Sequence, residues 1–504
     1  MLPYYGWAGT DFVFGSELKA LRPHPEFSRE IDREALSRYA SLTYIPAPLS
    51  IYRGMFKLEP GCILTVPLDA TAAPMSRAPE AGRPGPVRLS RYWSYRDEVG
   101  EGLARPFPDQ REALEALDSS LETAIRGQSV ADVPIGAFLS GGIDSSTVVA
   151  LYQKYSPAPV RTFSIGFEEA GYDEAVHAKA VARHFGTLHH EHYVTVREAR
   201  EVIPLLPSIY DEPFADSSQI PTYLVSRFAR EQVTVALTGD GGDELFAGYN
   251  RHFLVPDLWR KLDRIPLPLR RVANSALGRL PPAILSGMAG LAGSKRPDRS
   301  RKLRKALAIA GSSGRIDDVY SSLLDEWDGE LPVAGDETIT GGELALGNDA
   351  PAATRLMYAD AVGYLPNDIL CKVDRASMAV SLETRVPFLD HRVAATAARI
   401  PIEMQVSQGQ GKQMLRKLLY REAPASLFER PKTGFSIPVG QWIKGELRPW
   451  AEDLLDPVKM ASEGWFDAAI VQRRWRDHLS GKRDSAAALW AILMFQAWLR
   501  EERA

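Results

Sequence analysis

Residues 137–149 read AFLSGGIDSSTVV, a polar cluster held between two apolar runs. The run that precedes it, Val133 to Leu139, has the length and composition of a buried strand, and a helix is predicted to begin near Asp144. Ligands of α/β sheets bind at the carboxyl ends of the strands, which is where this cluster falls. The stretch therefore predicts a ligand-binding loop between a strand and a helix.

The residue types in this first loop, residues 140–146, indicate an anionic ligand. Gly141 and Gly142 permit a tight turn, so that backbone N–H groups and the positive end of the helix approach the ligand. Asp144 supplies hard oxygens suited to Mg²⁺, and the other polar side chains are three hydroxyls that can donate to phosphate: Ser140, Ser145 and Ser146. The Walker lysine is missing. The alternative is a glycine turn whose polar side chains only cap the helix, and the strand–loop–helix context disfavours this alternative.

Three more apolar runs alternate with helical segments downstream, at residues 160–167, 190–196 and 233–238. Each return to a parallel strand requires a crossover, which the intervening helices provide. The chain is therefore predicted to form an α/β fold with a doubly wound parallel sheet.

A second glycine-rich loop, GDGGDELFAGY at residues 239–249, follows the last of these runs. Asp240, Asp243 and Glu244 supply carboxylates for Mg²⁺ or for ordering the loop. The spacing of these carboxylates along the sequence differs from that of an EF-hand calcium-binding loop. One anion-binding and one metal-competent loop at strand ends favour a nucleoside triphosphate with magnesium as the ligand.

Composition bounds the class of protein. With 504 residues the chain exceeds one typical domain. Its 60 basic and 64 acidic residues provide no broad basic surface for nucleic acid or an anionic membrane. Two cysteines cannot form a disulfide framework, which indicates a cytoplasmic location. The N-terminus lacks the pattern of a secretory signal, and the apolar segment 486–495 is too short to span a membrane and predicts a buried helix.

Three regions differ in pattern. Residues 1–68 contain short strand-like pieces and a helix that opens at Asp32, too little for a complete domain. Residues 69–108 are rich in Pro, Gly and Ala and are interpreted as a linker, interrupted by one strand near Arg91 to Tyr95. Long helices and apolar strands fill residues 109–504.

SGGIDSS is similar to the pyrophosphate-binding loop of the ATP pyrophosphatase family. Together with LTGDGGDELFAGYNRH, CKVDRASMAVSLETRVPFLDHRV and RPKTGFSIP it resembles glutamine-dependent asparagine synthetases, whose motif blocks occur here in order from about residue 110 onward. The resemblance implies an adenine nucleotide α-hydrolase-like sheet with a helical C-terminal region. It also implies an ATP- and Mg²⁺-dependent ligase, which converts aspartate through an aspartyl adenylate and ammonia to asparagine, AMP and pyrophosphate.

The resemblance assigns roles by motif position. Lys432, Asp240 and Asp144 are implied in catalysis, with Asp144 as the magnesium ligand and Lys432 as a contact to the phosphates. The implied ATP-binding residues are Ser140, Gly141, Gly142, Asp144, Ser145 and Ser146 for pyrophosphate, Phe138 and Ile165 for adenosine, and Thr238, Gly239 and Asp240 for the ribose and phosphates.

Residues 366–390 offer acids and guanidinium groups for the amino and carboxylate groups of aspartate. The substrate candidates are Asp374, Arg375, Glu383 and Arg385. A salt-bridge network that orders helices is an equal alternative for each of them. Cys371 is interpreted as a small buried residue, and the histidines of TLHHEHYV lack the third and fourth ligands that zinc needs.

Residues 1–68 resemble the closing portion of the family's glutaminase domain, an N-terminal nucleophile fold. That fold uses a cysteine directly after the initiator methionine, where this chain has Leu2, and Cys62 has no α-amine to act as its base. We therefore expect no glutaminase activity from the chain, with ammonia as direct donor and a homodimer or a separate glutaminase as partner. The alternatives are amidation of another carboxylate, such as a sugar acid or peptide precursor, a tRNA-modifying ATP pyrophosphatase, and an inactive binding subunit.

Overall fold

A computed structural model of the chain describes residues 2–68, 74–167, 174–271, 315–334, 346–347, 349–430 and 437–503. Its strands are β1 (Tyr4–Ala8), β2 (Asp11–Gly15), β3 (Met55–Lys57), β4 (Cys62–Thr65), β5 (Arg88–Arg91), β6 (Ile135–Phe138), β7 (Arg161–Phe167), β8 (Leu188–Val194), β9 (Val235–Leu237) and β10 (Glu383–Arg385).

The N-terminal half contains helices α1 (Arg33–Leu42), α2 (Tyr95–Ala104), α3 (Gln110–Gln128), α4 (Ile143–Tyr155), α5 (Ala175–Phe185), α6 (Val196–Val202), α7 (Leu206–Tyr210), α8 (Gln219–Arg230), α9 (Gly242–Leu245) and α10 (Arg251–Leu262). Further along lie α11 (Ile316–Leu324), α12 (Ala352–Ala359), a π-helical segment (Asp360–Ile369), α13 (Leu370–Met378), α14 (His391–Ala398), α15 (Ile402–Gln405), α16 (Gln413–Leu419), α17 (Val439–Lys444), α18 (Arg448–Leu454), α19 (Pro457–Glu463), α20 (Ala468–Leu479) and α21 (Ala486–Arg503).

The central sheet has five parallel strands in the order β10-β9-β6-β7-β8. The chain runs from β6 outward to β7 and β8, and then returns to β6 to place β9 and β10 on the other side. The α/β class and the parallel sheet predicted from the sequence are confirmed. Because β6 and β9 are neighbours, the two glycine loops leave the sheet side by side at its carboxyl edge.

Buried side chains cover both faces of this sheet, as a parallel sheet requires. Successive strand residues point to opposite faces, and Ala236 and Leu237 accordingly belong to different hydrophobic clusters. One cluster joins Phe163 and Ile165 to α8. The other joins Ala137 to α3 and α4.

The predicted linker contains regular structure at Arg88–Arg91 and Tyr95–Ala104. Strand β5 pairs antiparallel with β4. It begins three residues before the strand that the sequence predicts at residues 91–95. The helix begins after Ser94, whose side chain accepts a hydrogen bond from the Asp97 backbone N–H. This N-cap, with two acidic residues in the first turn, is a local signal for a helix that the Pro- and Gly-rich composition concealed.

The N-terminal segment packs on the central domain through a buried ion pair between Lys57 and Glu212. The Tyr4 hydroxyl donates to Glu212 Oε1 over 3.0 Å, and the Ile51 N–H donates to Oε2 over 3.2 Å. Glu212 is only 4% exposed. One carboxylate therefore links the strands of the first sheet to the end of α7.

Glu212→Gln is expected to lower the free energy of unfolding by about 3 kcal/mol, because Lys57 would remain buried without its counter-charge. Urea titration of both proteins measures the difference. The matched control is Glu30→Gln, which removes an exposed pair with Arg53 and should leave stability unchanged. Equal stability of the Glu212 variant and the parent would show that the buried pair contributes nothing.

The predicted C-terminal helix is α21, and its residues 488–496 are all buried. No helix within the described ranges combines the length and the apolar character needed to cross a membrane.

Candidate active site

A cavity of about 700 Å³ opens at the carboxyl edge of the central sheet. The residues predicted to bind ATP that line it are Phe138, Ser140, Gly141, Gly142, Asp144, Ser145, Ile165, Thr238, Gly239 and Asp240. Ser146 is fully buried, is absent from this lining, and its hydroxyl has no hydrogen-bond partner among the described residues. The fold therefore brings together both glycine loops, with Ser146 turned into the core.

The first loop is shaped by its own hydroxyls. The Ser140 and Ser145 Oγ atoms lie 3.0 Å apart, and the Ser140 N–H donates to Ser145 Oγ over 3.2 Å. Gly141 has φ +70°, and a Cβ there would lie 2.9 Å from the Ala178 backbone nitrogen. Gly142 caps α4 without any side-chain hydrogen bond. The first turn of α4 thus presents backbone N–H groups at the cavity, which suits an anion.

The two loops are in direct backbone contact. A Cβ on Gly239 would lie 2.7 Å from the Ser145 backbone nitrogen, and a Cβ on Gly242 would lie 2.6 Å from Asp144 Oδ1. Only glycine fits at position 239, because the obstructing atoms there belong to the main chain, whereas a Cβ at position 242 would collide with the Asp144 side chain. The close approach holds Asp144 of the first loop beside Asp243 of the second.

Lys412, which the sequence analysis did not identify, joins these two carboxylates. Its ammonium contacts Asp144, and it lies 2.6 Å from Asp243 Oδ1. Burial opposes the charge, but Asp144 and Asp243 together raise the pKa of Lys412 above its usual value. The side chain is 8% exposed, so a permanent cation faces the first loop.

Lys412 and two arginines, Arg416 and Arg430, line the cavity together and form what we call the cationic wall. Arg430 donates to the Ser140 carbonyl over 3.3 Å, and Arg416 lines the same cavity. Burial lowers the pKa of Arg430, which nevertheless stays charged in proteins. The cationic wall and the helix end together favour a polyphosphate.

The donor set also fits a magnesium ion. Asp144 and Asp243 offer hard carboxylate oxygens from opposite loops, which is the chemistry that Mg²⁺ prefers. In the part of the chain that the structure describes, no three potential metal-binding side chains converge on one point. An ion here would therefore take its remaining ligands from phosphate oxygens and water, as Mg²⁺ does with nucleotides.

A second polar group lines the cavity at the start of α8 and on α13: Asp216, Ser218 and Lys372, which we call the Lys372 cluster. Lys372 Nζ lies 2.8 Å from both Asp216 Oδ2 and Ser218 Oγ. Burial opposes ionisation, but Lys372 lowers the pKa of Asp216, so this carboxyl remains ionised. Asp368 lies next to this cluster. Its burial is the main cause that raises its pKa well above the usual range, and the negative charge of Asp216 is the second cause.

Helix α10, which follows the second loop, is held at its first two residues by Asp360, the first residue of the π-helical segment. Its carboxylate accepts hydrogen bonds from Arg251 Nε at 2.7 Å, His252 Nε2 at 2.6 Å and the Tyr320 hydroxyl at 2.7 Å. Asp360 is fully buried. Although burial alone would raise it, Arg251 and His252 hold the pKa of Asp360 at about 2.

The four residues expected to bind the substrate do not line the cavity. Arg375 donates to the Ser16 carbonyl over 3.0 Å and pairs with Glu17 over 2.9 Å. Its charge is therefore neutralised by the N-terminal segment. Asp374 is adjacent on the same helix, and burial raises its pKa.

Glu383 and Arg385 lie on β10 at the edge of the sheet and pair with each other over 2.6 Å. Arg385 also donates to the Gln128 and Val130 carbonyls. Lys432 lies outside the described residues. Cys371 is a free cysteine, and burial raises the pKa of its thiol to about 11.

The histidines of β8 bind their neighbours. His189 lies within hydrogen-bond distance of Thr162 Oγ1 (3.0 Å) and Ser164 Oγ (3.2 Å), and His192 contacts Glu198 over 3.2 Å. These contacts order the edge of the sheet.

Comparison with known proteins matches two parts of the chain to family models. Residues 116–500 match the family model for asparagine synthase, and residues 2–75 match a glutamine amidotransferase domain. The chain is 33% identical over 504 residues to a putative asparagine synthetase [glutamine-hydrolyzing] of Mycobacterium tuberculosis, covering 98% of this chain and 71% of the relative.

Two other relatives agree. Asparagine synthetase [glutamine-hydrolyzing] 1 of Bacillus subtilis is 29% identical over 499 residues, covering 98% of this chain and 73% of the relative. A putative asparagine synthetase [glutamine-hydrolyzing] 2 of Methanocaldococcus jannaschii is 40% identical over 252 residues, covering 49% and 45% of the two chains. The chain therefore belongs to the asparagine synthase family of amide-forming ligases.

Proposed function

We propose that the protein uses ATP to activate the side-chain carboxylate of aspartate and then forms asparagine. The carboxylate oxygen attacks the α-phosphorus of ATP, the bond to the β-phosphate oxygen breaks, and pyrophosphate leaves. Ammonia then adds to the acyl carbon, the bond to the AMP oxygen breaks, and a proton is released. The observation that carries this proposal is the convergence of both glycine loops and Lys412 on one cavity.

The cavity offers a separate environment for each part of ATP. Phe138, Phe163 and Ile165 provide an apolar wall for adenine at the ends of β6 and β7. The first turn of α4 receives the pyrophosphate, and Thr238 and Gly239 lie against the ribose. This arrangement supports the adenine nucleotide α-hydrolase-like assignment of the fold, in which the nucleotide binds where the strand order reverses.

Activation requires charge neutralisation and alignment more than covalent catalysis. Asp144 and Asp243 would hold a magnesium ion, which would supply positive charge near the leaving pyrophosphate. Lys412 and Arg430 provide fixed positive charges that need no reorganisation as the bond breaks. Lys432 joins them as a phosphate contact in this proposal, and Asp240, which lines the same cavity, is assigned to the ribose and phosphates. The nitrogen donor is ammonia, either free or released from glutamine.

Exchange of labelled pyrophosphate into ATP tests this function. Exchange that depends on both aspartate and Mg²⁺ supports the aspartyl adenylate. Exchange that depends on another carboxylate, and not on aspartate, would assign the protein to a related amidation. Absence of exchange with any carboxylate would contradict the ligase proposal.

Gly239→Ala is expected to reduce this exchange by about 100-fold, because a Cβ would push the two loops apart by a fraction of an ångström or more. Circular dichroism and the unfolding midpoint establish that the variant is folded. Gly127→Ala is the matched control, since Gly127 lies within α3 with nothing near its Cβ direction. Full activity in the Gly239 variant would contradict the requirement for loop contact.

A further inference from the structure

We propose that the Lys372 cluster recognises the zwitterionic head of an α-amino acid, with Asp216 binding the α-ammonium group and Lys372 binding the α-carboxylate. This inference rests on the proposed function, because it specifies how the same cavity selects its carboxylate substrate. It replaces Asp374, Arg375, Glu383 and Arg385, which lie outside the cavity.

The Lys372 ammonium is prepared for an additional acceptor. An ammonium has three donors, and in the described structure its hydrogen bonds reach Asp216 and Ser218. Its side chain is 10% exposed, yet it lines the cavity. A lysine held by two partners from the segment just before α8 presents its remaining donor in a defined direction, which lowers the entropy lost on binding.

The Asp216 carboxylate is held equally firmly. Ser218 donates to it through the backbone N–H at 2.9 Å and through the hydroxyl at 2.7 Å. The carboxylate is 18% exposed on the cavity side of α8. An ionised, fixed carboxylate next to a fixed ammonium presents opposite charges side by side.

Only a ligand with opposite charges complements such a pair. A zwitterion aligned antiparallel to it places each charge beside its opposite. A simple dicarboxylate would instead bring a second negative charge toward Asp216 and Asp240. The α-amino acid head is therefore favoured, and the β-carboxylate of the bound molecule remains available for the α-phosphate.

Three substrates separate the two contacts in the pyrophosphate exchange assay. L-Aspartate carries both charges of the head, succinate lacks the ammonium, and β-alanine lacks the α-carboxylate. For the parent protein we expect kcat/KM to be at least about 100-fold lower for either analogue, because each lacks one of the two charged groups that the Lys372 cluster binds in this proposal.

The variants test each contact in turn. Lys372→Met should lower kcat/KM for L-aspartate by about 100-fold, mainly through KM, and should lower kcat/KM for β-alanine, which has no α-carboxylate contact to lose, by a clearly smaller factor. Asp216→Asn should lower kcat/KM for L-aspartate and spare succinate. Lys459→Met, on the exposed face of α19, is the charge-matched control and should resemble the parent.

Distinct outcomes contradict distinct claims. Equal losses with all three acids in both variants would assign the cluster a purely structural role and overturn the inference, although the ligase function would stand. An equal kcat/KM of the parent protein for L-aspartate and for succinate or β-alanine would also overturn the inference. If Lys372→Met does not fold, the Asp216→Asn variant and the substrate selectivity of the parent protein decide whether the cluster binds the α-amino acid head. No exchange with any acid would refute the proposed function itself.

Discussion

Lys412→Met is expected to lower aspartate-dependent pyrophosphate exchange by at least about 10³-fold. Fixed cations at the transferring phosphates contribute effects of this size in phosphoryl transfer. Methionine retains the length of the side chain and removes the charge that lies between Asp144 and Asp243. The loss should appear mainly in kcat, since the cation stabilises charge that develops as pyrophosphate leaves.

The control for this experiment is Lys261→Met, because Lys261 is an exposed lysine on α10. Its activity should match that of the parent. Lys412→Arg should recover only part of the activity, since a planar guanidinium does not replace a compact ammonium between two carboxylates. A loss of less than about tenfold in Lys412→Met would remove Lys412 from the catalytic machinery.

Asp360→Asn is expected to lower the free energy of unfolding by about 3–5 kcal/mol, the usual consequence of removing one partner from a buried ionic network. Arg251, His252 and the Tyr320 hydroxyl would lose their shared anionic partner, and one of the two acceptor oxygens would become a donating NH2 group. Urea titration measures the change. Asp257→Asn, which removes an exposed partner of Arg260, is the control and should have no measurable effect.

The same carboxylate predicts a dependence of stability on pH. Its folded pKa of about 2 lies below the unfolded value, so its contribution is complete above about pH 4 and is lost as the pH falls toward about 2. A difference of nearly two pKa units corresponds to about 2.5 kcal/mol. The stability gap between parent and Asp360→Asn should therefore shrink over this acidic range. A gap that stays constant from pH 5 to about pH 2 would contradict the assignment.

The features that sequence predicted well are those with local causes. An apolar run, two glycines and a helix start occupy one short stretch around Ser140, so the strand end and the anion-binding loop could be predicted together. The parallel sheet also followed, because the crossover helices are continuous in sequence.

Other features depend on distant contacts. Lys412 meets Asp144 across 268 positions, and Lys372 meets Asp216 across 156, so no local pattern indicates either pair. Arg375 has the chemistry expected of a substrate contact, but Glu17, far away in the chain, uses that charge. Ser146 counts as a hydroxyl of the loop in sequence, yet the first turn of α4 rotates it into the core.

Transfer of ¹⁸O tests the central claim most directly. With L-aspartate labelled in its β-carboxylate, ATP and ammonia, the account predicts that each AMP released carries one ¹⁸O atom and that the pyrophosphate carries none. Label in phosphate or pyrophosphate, or unlabelled AMP formed together with asparagine, would contradict attack of the carboxylate on the α-phosphorus.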